Sequence, residues 1–310
     1  MKMLKRMFPL WTVVVAVLGA GWMSGRFAEF HQVFDVKVTG KGRPVILVPG
    51  LATSGAMWDD TVAALRDRYE FHVLTLAGFG GPKAVGEPFL PRVAKGLVEY
   101  VDERRLKAPI VVGHSLGAFV AFAAASDCPG AFAGVMAVDG VPFLPALMNP
   151  AATPAAMEAQ ASSVRSMYAG MLPEQYRQQT DFALASMITS PANRLRASEW
   201  TRAATPTAVG TAFAELLTTD GRPAAARLTA PVLLIGALGA MPPALRDSAR
   251  EAYRAQVSGI RNATVVFAED ARHFVTLDDP AFFQRTLEAF LARVPAGETV
   301  PCEASKGASQ

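Results

Sequence analysis

Cysteine, histidine and charged residues are scarce in this 310-residue chain, and each shortage excludes a class of protein. The two cysteines and four histidines form no Cys-x-x-Cys pair and no cluster with metal-ligand spacing, so we expect no metal site. Charged residues make up 18% of the sequence and hydrophobic residues 51%, a composition that predicts a sizeable core rather than disorder. The formal net charge is only +3, which gives no reason to expect nucleic acid as a partner.

Acidic residues are absent from the first twenty positions, where three basic residues precede an apolar stretch at 8–20. A basic start, a short apolar stretch and a small-residue end at Gly19 and Ala20 are typical of a secretory signal, so residues 1–20 are predicted to be a signal peptide. An uncleaved anchor is the alternative, although the stretch is short against the ~20 residues of a membrane span. Either reading predicts a secreted or periplasmic domain, with a membrane tether only if the segment is retained. Without it the chain has 27 basic and 27 acidic residues.

The two cysteines, Cys128 and Cys302, lie far apart in the sequence. An oxidising compartment would permit a disulfide between them. Cys302 belongs to a polar stretch, and residues 295–310 are predicted to be a disordered tail. The sequence therefore leaves a disulfide and two free thiols as equal alternatives.

Residues 113–117, Gly-His-Ser-Leu-Gly, match the Gly-x-Ser-x-Gly pattern of a nucleophile elbow. The apolar, β-branched residues 109–112 before them predict a buried strand, and the alanine-rich residues 118–125 after them predict a helix. A strand, a sharp turn and a helix place Ser115 at the tip of the turn, where the small residues Gly113 and Gly117 leave room. Ser115 is therefore the predicted nucleophile, beside a helix N-terminus that favours developing negative charge.

Strands and helices alternate along most of the chain. Strands are predicted at 33–38, 45–48, 71–76, 109–112, 134–138, 231–236 and 263–267, with helices between them. The pattern predicts an α/β fold with a mostly parallel sheet covered by helices on both faces. Residues 141–229 contain no convincing strand and show helical stretches near 155–169, 173–188 and 194–217. We therefore predict an all-helical cap at 141–229, inserted into a core formed by 33–140 and 230–294.

Four motifs in order show that the chain resembles the α/β-hydrolase fold superfamily, in its serine esterase and lipase-like branch with a helical cap. They are Pro49-Gly50-Leu51, Gly78-Phe79-Gly80, the elbow and Arg272-His273-Phe274. The resemblance implies a serine hydrolase that cleaves a small-molecule carboxylic ester through an acyl-enzyme, without a cofactor. It also implies that the backbone N–H groups of Leu51 and Leu116 form the oxyanion hole.

The family order of nucleophile, acid and histidine implies that His273 is the catalytic base. Of the other histidines, His72 and His114 are predicted to be packed and structural, and His31 to be exposed. The acid is harder to assign, because residues 236–241, where the family usually carries it, contain no carboxylate.

Three aspartates remain as candidates for the acid. Asp139 ends the strand at 134–138, and it is the one we favour. Asp270 lies only three residues before His273, and Asp247 is predicted to lie inside a helix. A Ser–His dyad without an acid is the remaining alternative.

The residues near the predicted sheet edge are mostly apolar. Met57 and Trp58 follow the oxyanion loop, Phe143 follows the strand at 134–138, and these three are the predicted substrate contacts. They favour small to medium apolar esters. A lactonase, a thioesterase or a carbon–carbon hydrolase could use the same residues, and the missing carboxylate keeps open a catalytically impaired binding protein.

Overall fold

The computed structural model describes residues 30–297 and residue 302. Seven strands form one sheet in the order β1-β3-β2-β4-β5-β6-β7. Their bounds are β1 Phe34–Gly40, β2 Arg43–Val48, β3 Tyr69–Leu76, β4 Ile110–His114, β5 Gly134–Val138, β6 Val232–Ala237 and β7 Ala263–Ala268. β1 is antiparallel to β3, and every other neighbouring pair is parallel. The predicted α/β fold class is thereby confirmed.

Twelve helices surround this sheet within the described residues. They are α1 Phe30–Val33, α2 Asp59–Leu65, α3 Phe89–Glu103, α4 Leu116–Asp127, α5 Pro154–Ala169, α6 Pro173–Met187, α7 Pro191–Thr201, α8 Pro206–Thr218, α9 Arg222–Ala225, α10 Arg246–Val257, α11 Val275–Asp278 and α12 Pro280–Arg293. The helix predicted at 55–67 begins as a 3-10 turn, Gly55–Trp58, in which the Gly55 N–H donates to Thr75 Oγ1 at 3.0 Å. No helix among the described residues has the length and hydropathy needed to cross a membrane.

Alternate residues of the strands enter two separate apolar layers. Ile46 and Val111 pack with α3 and α4 on one face, whereas Val45 and Val112 pack with α12 on the other. This explains why the central strands are apolar at every position: each side chain is buried whichever face it points to. Helix α4 is buried around nearly its whole circumference, which explains the absence of a polar face in its sequence.

The region predicted as a cap lies between the end of β5 and the start of β6. Residues 139–231, all described, contain helices α5–α9 and no strand of the sheet. Each of these five helices has a proline in its first turn, where the missing N–H costs nothing. Pro206 also corrects the single helix predicted at 194–217, because proline ends the preceding helix and divides the stretch into α7 and α8. The exact domain boundaries stay predictions.

Several polar contacts fix this helical region to the core, among them those of Glu215 and Thr205. Both carboxylate oxygens of Glu215 on α8 accept backbone N–H groups at the start of α3, from Phe89 and Leu90, at 2.7 Å each. The Thr205 N–H donates to the Gly78 carbonyl at 2.8 Å. These contacts hold the helices over the carboxyl edge of the sheet, where the parallel strands end.

A disulfide joins Cys128 to Cys302, with 5.5 Å between their Cα atoms. It favours the paired alternative left open by the sequence. The predicted signal peptide and nearly all of the predicted tail beyond residue 297 lie outside the described residues.

Candidate active site

Ser115 occupies a strained turn between β4 and α4. Its backbone has φ 54° and ψ −119°, a conformation that a residue with a side chain adopts only where the surroundings enforce it. The surroundings here are backbone: a Cβ on Gly113 would lie 2.1 Å from the Gly117 carbonyl oxygen, and one on Gly117 would lie 2.3 Å from the Val48 carbonyl oxygen. Gly140 approaches as closely, since its Cβ would lie 2.3 Å from the Ser115 carbonyl oxygen. Only glycine fits at these positions, and Ser115 is left partly exposed at the sheet edge.

Two backbone N–H groups lie on either side of this turn. Leu116 is the first residue of α4, so its N–H has no acceptor within the helix. Leu51 follows the turn after β2, and a Cβ on the adjacent Gly50 would lie 3.3 Å from the Ser115 Cβ, so this loop reaches the serine. Neither amide donates a backbone hydrogen bond within residues 30–297. Both predicted oxyanion-hole residues therefore have a backbone N–H without a backbone acceptor among the described residues, and their role stays a prediction.

Asp139 directly follows β5, at the same edge of the sheet. Its N–H donates to the Ile235 carbonyl at 2.8 Å, which extends the pairing of β5 with β6 by one residue. Its φ of 46° then turns the chain out of the sheet, a conformation that aspartate tolerates better than most residues. The carboxylate lies over the end of β6, where Oδ1 accepts the Ala237 N–H at 2.8 Å.

His273 lies on the loop after β7, and Asp139 fixes its ring. The distance from His273 Nδ1 to Asp139 Oδ2 is 2.6 Å. A carboxylate can only accept a hydrogen bond, so the proton lies on Nδ1 and Nε2 is free to take a proton from a hydroxyl. The other two candidate acids lie elsewhere: Asp270 is exposed, and Asp247 is exposed and paired with Arg250.

The charge of Asp139 is stabilised by several donors. Burial by itself would raise the pKa of this carboxyl, but hydrogen bonds from His273, Tyr253 and the Ala237 N–H, together with the charge of His273, hold its pKa below the usual value. Asp139 therefore stays ionised at neutral pH and can stabilise a proton on the imidazole.

His114, the neighbour of Ser115, lies between the elbow and the base. Its buried ring packs 4.6 Å from the ring of His273 and 4.8 Å from the ring of Phe274, centroid to centroid. Nε2 donates to the His273 carbonyl oxygen at 3.1 Å, and Nδ1 has no partner among the described residues. Burial, with a smaller contribution from the charge of His273, lowers the pKa of His114 to about 3. His114 is thus a neutral, packed residue that supports the loop of His273.

The two remaining histidines are His72, predicted to be packed, and His31, predicted to be exposed. His72 is buried and hydrogen-bonds Tyr100 Oη through Nδ1 at 2.7 Å and Glu70 through Nε2 at 2.9 Å. It fits the packed role predicted for it. The side chain of His31 lies outside the described residues.

The side chains of the three predicted substrate contacts are buried in apolar clusters. Met57 and Trp58 belong to the apolar layer beneath the sheet, where Trp58 packs 6.0 Å from the ring of Phe283. Phe143 lies in a small separate cluster, with the guanidinium of Arg222 4.9 Å from its ring centroid. All three are at most 3% exposed, so they present no surface to a ligand in this structure. Closeness along the chain suggested the role, but it does not reveal to which side of the sheet a side chain points.

Sequence reasoning missed Tyr253 and Ala237, the other donors to Asp139. Tyr253 Oη donates to Asp139 Oδ1 at 2.5 Å from the middle of α10. A tyrosine on the buried face of a helix is typical of any core, and a backbone N–H has no sequence signature. Nothing in the sequence pattern could have singled them out.

Comparison with known proteins agrees with this architecture. A family model described as the alpha/beta hydrolase family matches residues 45–285. A pimeloyl-[acyl-carrier protein] methyl ester esterase of Vibrio cholerae is 35% identical over 85 residues, which are 27% of this chain and 32% of the relative. A second such esterase, of Methylococcus capsulatus, is 33% identical over 34% of this chain and 41% of its own length. The chain thus spans less than half the length of these curated relatives.

A solved structure of a thermophilic esterase from Thermogutta terrifontis, with malate bound, superposes with a TM-score of 0.67 at 22% identity. The superposition covers 84% of this chain and 93% of the esterase. A likeness at this identity shows the fold. Because the family model covers well over half of the sequence, the chain belongs to the α/β-hydrolase family.

Proposed function

We propose that this protein is a serine hydrolase that cleaves carboxylic esters of small to medium apolar substrates through an acyl-enzyme. The observation that carries the proposal is the Asp139–His273 hydrogen bond of 2.6 Å beside the strained Ser115 turn. Acyl transfer requires a nucleophile, a base and an acid, and Ser115, His273 and Asp139 are the residues that we assign to these roles. The names of the curated relatives, which are methyl ester esterases, are consistent with it.

The reaction proceeds in two steps. Ser115 Oγ attacks the ester carbonyl carbon while His273 Nε2 takes the hydroxyl proton, and the oxyanion that forms accepts the N–H groups of Leu51 and Leu116. The tetrahedral intermediate collapses as His273 returns the proton to the leaving alcohol. Water then attacks the acyl carbon, with His273 again accepting and returning a proton, and the acid and free Ser115 are released.

The proposed preference for apolar substrates rests on the large apolar layer against which the oxyanion loop packs. Leu51 is half-buried and packs against the same apolar layer as Tyr168 and Met171 of the helical region. Methionine adapts its shape to varied apolar groups, which suits an acyl or alcohol site of moderate size.

An impaired binding protein is the weaker alternative. Its support was the absence of a carboxylate after Gly236, and Asp139 reaches that position from the neighbouring strand through its bond to the Ala237 N–H. A lactonase or thioesterase would use the same groups, and substrate profiling separates these from an esterase.

We also propose that the folded domain works outside the cytoplasm. The Cys128–Cys302 disulfide supports this location, because structural disulfides persist mainly in oxidising compartments. Sequencing the N-terminus of protein recovered from the extracytoplasmic fraction tests it, and a chain that begins near residue 21 is the expected result.

The proposed function is tested with p-nitrophenyl acetate, butyrate and octanoate. We expect turnover by the wild type and a loss of at least ~10⁴-fold in kcat for Ser115→Ala, with His273→Ala nearly as damaged. A fluorophosphonate should label the wild type and not Ser115→Ala. A folded wild type that neither turns over any ester nor becomes labelled would contradict the proposal.

A further inference from the structure

The carboxylate of Asp139 has three donors among the described residues, and only His273 takes part in the chemistry proposed above. Oδ2 accepts His273 Nδ1–H, while Oδ1 accepts both the Ala237 N–H and the Tyr253 hydroxyl. We propose that Tyr253 is a positioning residue for the catalytic unit: it orients Asp139 and limits its basicity, so that the shared proton stays on His273. The inference rests on the proposed function.

The ring of Tyr253 is built into the end of β6. A Cβ on Gly236 would lie 2.8 Å from a ring carbon of Tyr253, so the glycine leaves the space that the ring fills. On its other side the ring meets Phe267 of β7 edge-on, at a centroid distance of 6.2 Å. A side chain packed so closely loses little further freedom when its hydroxyl binds, which makes the hydroxyl a well-placed donor.

Asp139 needs such a donor because it follows β5, whereas its carboxylate lies at the end of the neighbouring strand β6. Its carboxylate extends from the end of β5 across to the end of β6, and only its hydrogen bonds fix the far end of that reach. Ala237 supplies one donor to Oδ1. Without the second donor, the carboxylate can rotate and the alignment of Oδ2 with His273 Nδ1 is loosened.

The Tyr253 hydroxyl also affects how strongly the carboxylate attracts a proton. A donor at Oδ1 draws negative charge away from Oδ2, so its removal strengthens the attraction between Oδ2 and a protonated imidazole. The acidic limb of the activity profile then moves to higher pH. The titratable groups that face Asp139 and Tyr253 are His273 and His114. The arginines of α10 and α9 form ion pairs with other acidic residues. Those are Arg250 paired with Glu269, Arg254 paired with Glu251, Arg246 near Glu269 and Arg222 paired with Asp220.

The test is Tyr253→Phe, which keeps the ring and removes the hydroxyl. We expect kcat to fall about tenfold with KM within about twofold, and the acidic limb of kcat/KM to move up by roughly half a pH unit. Tyr100→Phe is the matched control, since it removes a buried hydroxyl that bonds His72 on β3, which is separated from β6 by three strands in the sheet. It should lower the thermal midpoint without moving the pH profile. A folded Tyr253→Phe whose pH profile superposes on the wild type would overturn the proposal.

Two further measurements keep the outcome decisive. Gly236→Ala retains every hydroxyl but displaces the Tyr253 ring, so it should move the acidic limb in the same direction even if Tyr253→Phe fails to fold. The low-field proton resonance of His273 Nδ1 reports the Asp139 bond without any turnover. If it moves in Tyr253→Phe while the wild type hydrolyses no ester, the proposed function fails and the positioning role stands. If wild type turns over and neither the resonance nor the limb moves, the positioning role fails alone.

Discussion

The elbow at the end of β4 and the corner that holds Asp139 achieve similar precision by opposite means. In the elbow, residues 113–117 are consecutive, and the close backbone approach at Gly113 and Gly117 fixes the serine. The corner brings together Asp139, Ala237, Tyr253 and His273, which come from four separate segments of the chain. Backbone geometry therefore positions Ser115, whereas hydrogen bonds to its carboxylate position Asp139. The two regions should respond differently to substitution.

The largest effect is expected from Asp139→Asn in the corner. The amide oxygen can keep the donors Ala237 and Tyr253, which turns the NH₂ group toward His273 Nδ1 and moves the ring proton to Nε2. The base then cannot accept the serine proton, and kcat should fall by roughly 10⁴-fold. Steady-state kinetics with p-nitrophenyl butyrate measures it, and Asp270→Asn and Asp247→Asn are controls that should keep activity. An active Asp139→Asn beside an inactive Asp270→Asn would assign the acid to Asp270.

In the elbow, the corresponding substitution is Gly117→Ala. Its new Cβ would meet the Val48 carbonyl oxygen at 2.3 Å, and backbone atoms cannot move aside as a side chain can. We expect the free energy of unfolding to fall by about 3 kcal/mol or more, measured by urea denaturation. Gly236→Ala, which meets only the Tyr253 ring, should be less destabilising. Equal losses in the two variants would remove the contrast between backbone and side-chain positioning.

His114 connects the two regions, and its burial makes stability depend on pH. The pKa of His114 is lowered to about 3, whereas an unfolded histidine titrates near ~6.5. Between these values the unfolded chain binds a proton that the native state does not, so stability decreases as the pH falls. From about pH 6.5 to 4.5 we expect His114→Gln to lose about 2 kcal/mol less stability than the wild type. Urea titrations at the two pH values measure this difference. If wild type and His114→Gln lost the same free energy of unfolding, the lowered pKa of His114 would be contradicted.

The smallest effect is expected below the sheet, at Trp58. The side chain is fully buried against Phe283, and its Nε1 has no partner within the described residues, so Trp58→Phe sacrifices no hydrogen bond. We expect a loss of about 1 kcal/mol in stability. KM for short and medium esters should stay within about twofold of wild type, since the side chain takes part in neither region. A large change in KM alone would return Trp58 to the substrate site.

The same contrast explains what the sequence could and could not predict. The elbow was predictable because its sterics demand glycine at two fixed positions around Ser115, and this demand is visible as a five-residue pattern. The strands were predictable because burial on both faces requires continuous apolar residues, as in β4 and β5. Pro206 could also have been recognised in the sequence as the start of a new helix. One long helix was predicted in place of α7 and α8.

The corner that holds Asp139 was only partly predictable. Asp139 could be proposed because it ends a strand that neighbours the elbow strand, but its φ of 46° and its reach to Ala237 depend on the packing of β5 against β6. Tyr253 approaches from α10, more than a hundred residues later, and no local pattern records such a contact. The substrate contacts at Met57, Trp58 and Phe143 stay predictions. Their side chains are buried in this structure, and distance along the chain does not fix the direction of a side chain.

The most direct test of the central claim is to map the covalent intermediate. Protein quenched in acid during turnover of p-nitrophenyl butyrate would be digested, and its peptides analysed by mass spectrometry. We expect a butyryl group on the peptide that contains Ser115, and none in Ser115→Ala. Turnover that leaves Ser115 unmodified and survives its replacement, or an acyl group on a different residue, would contradict it.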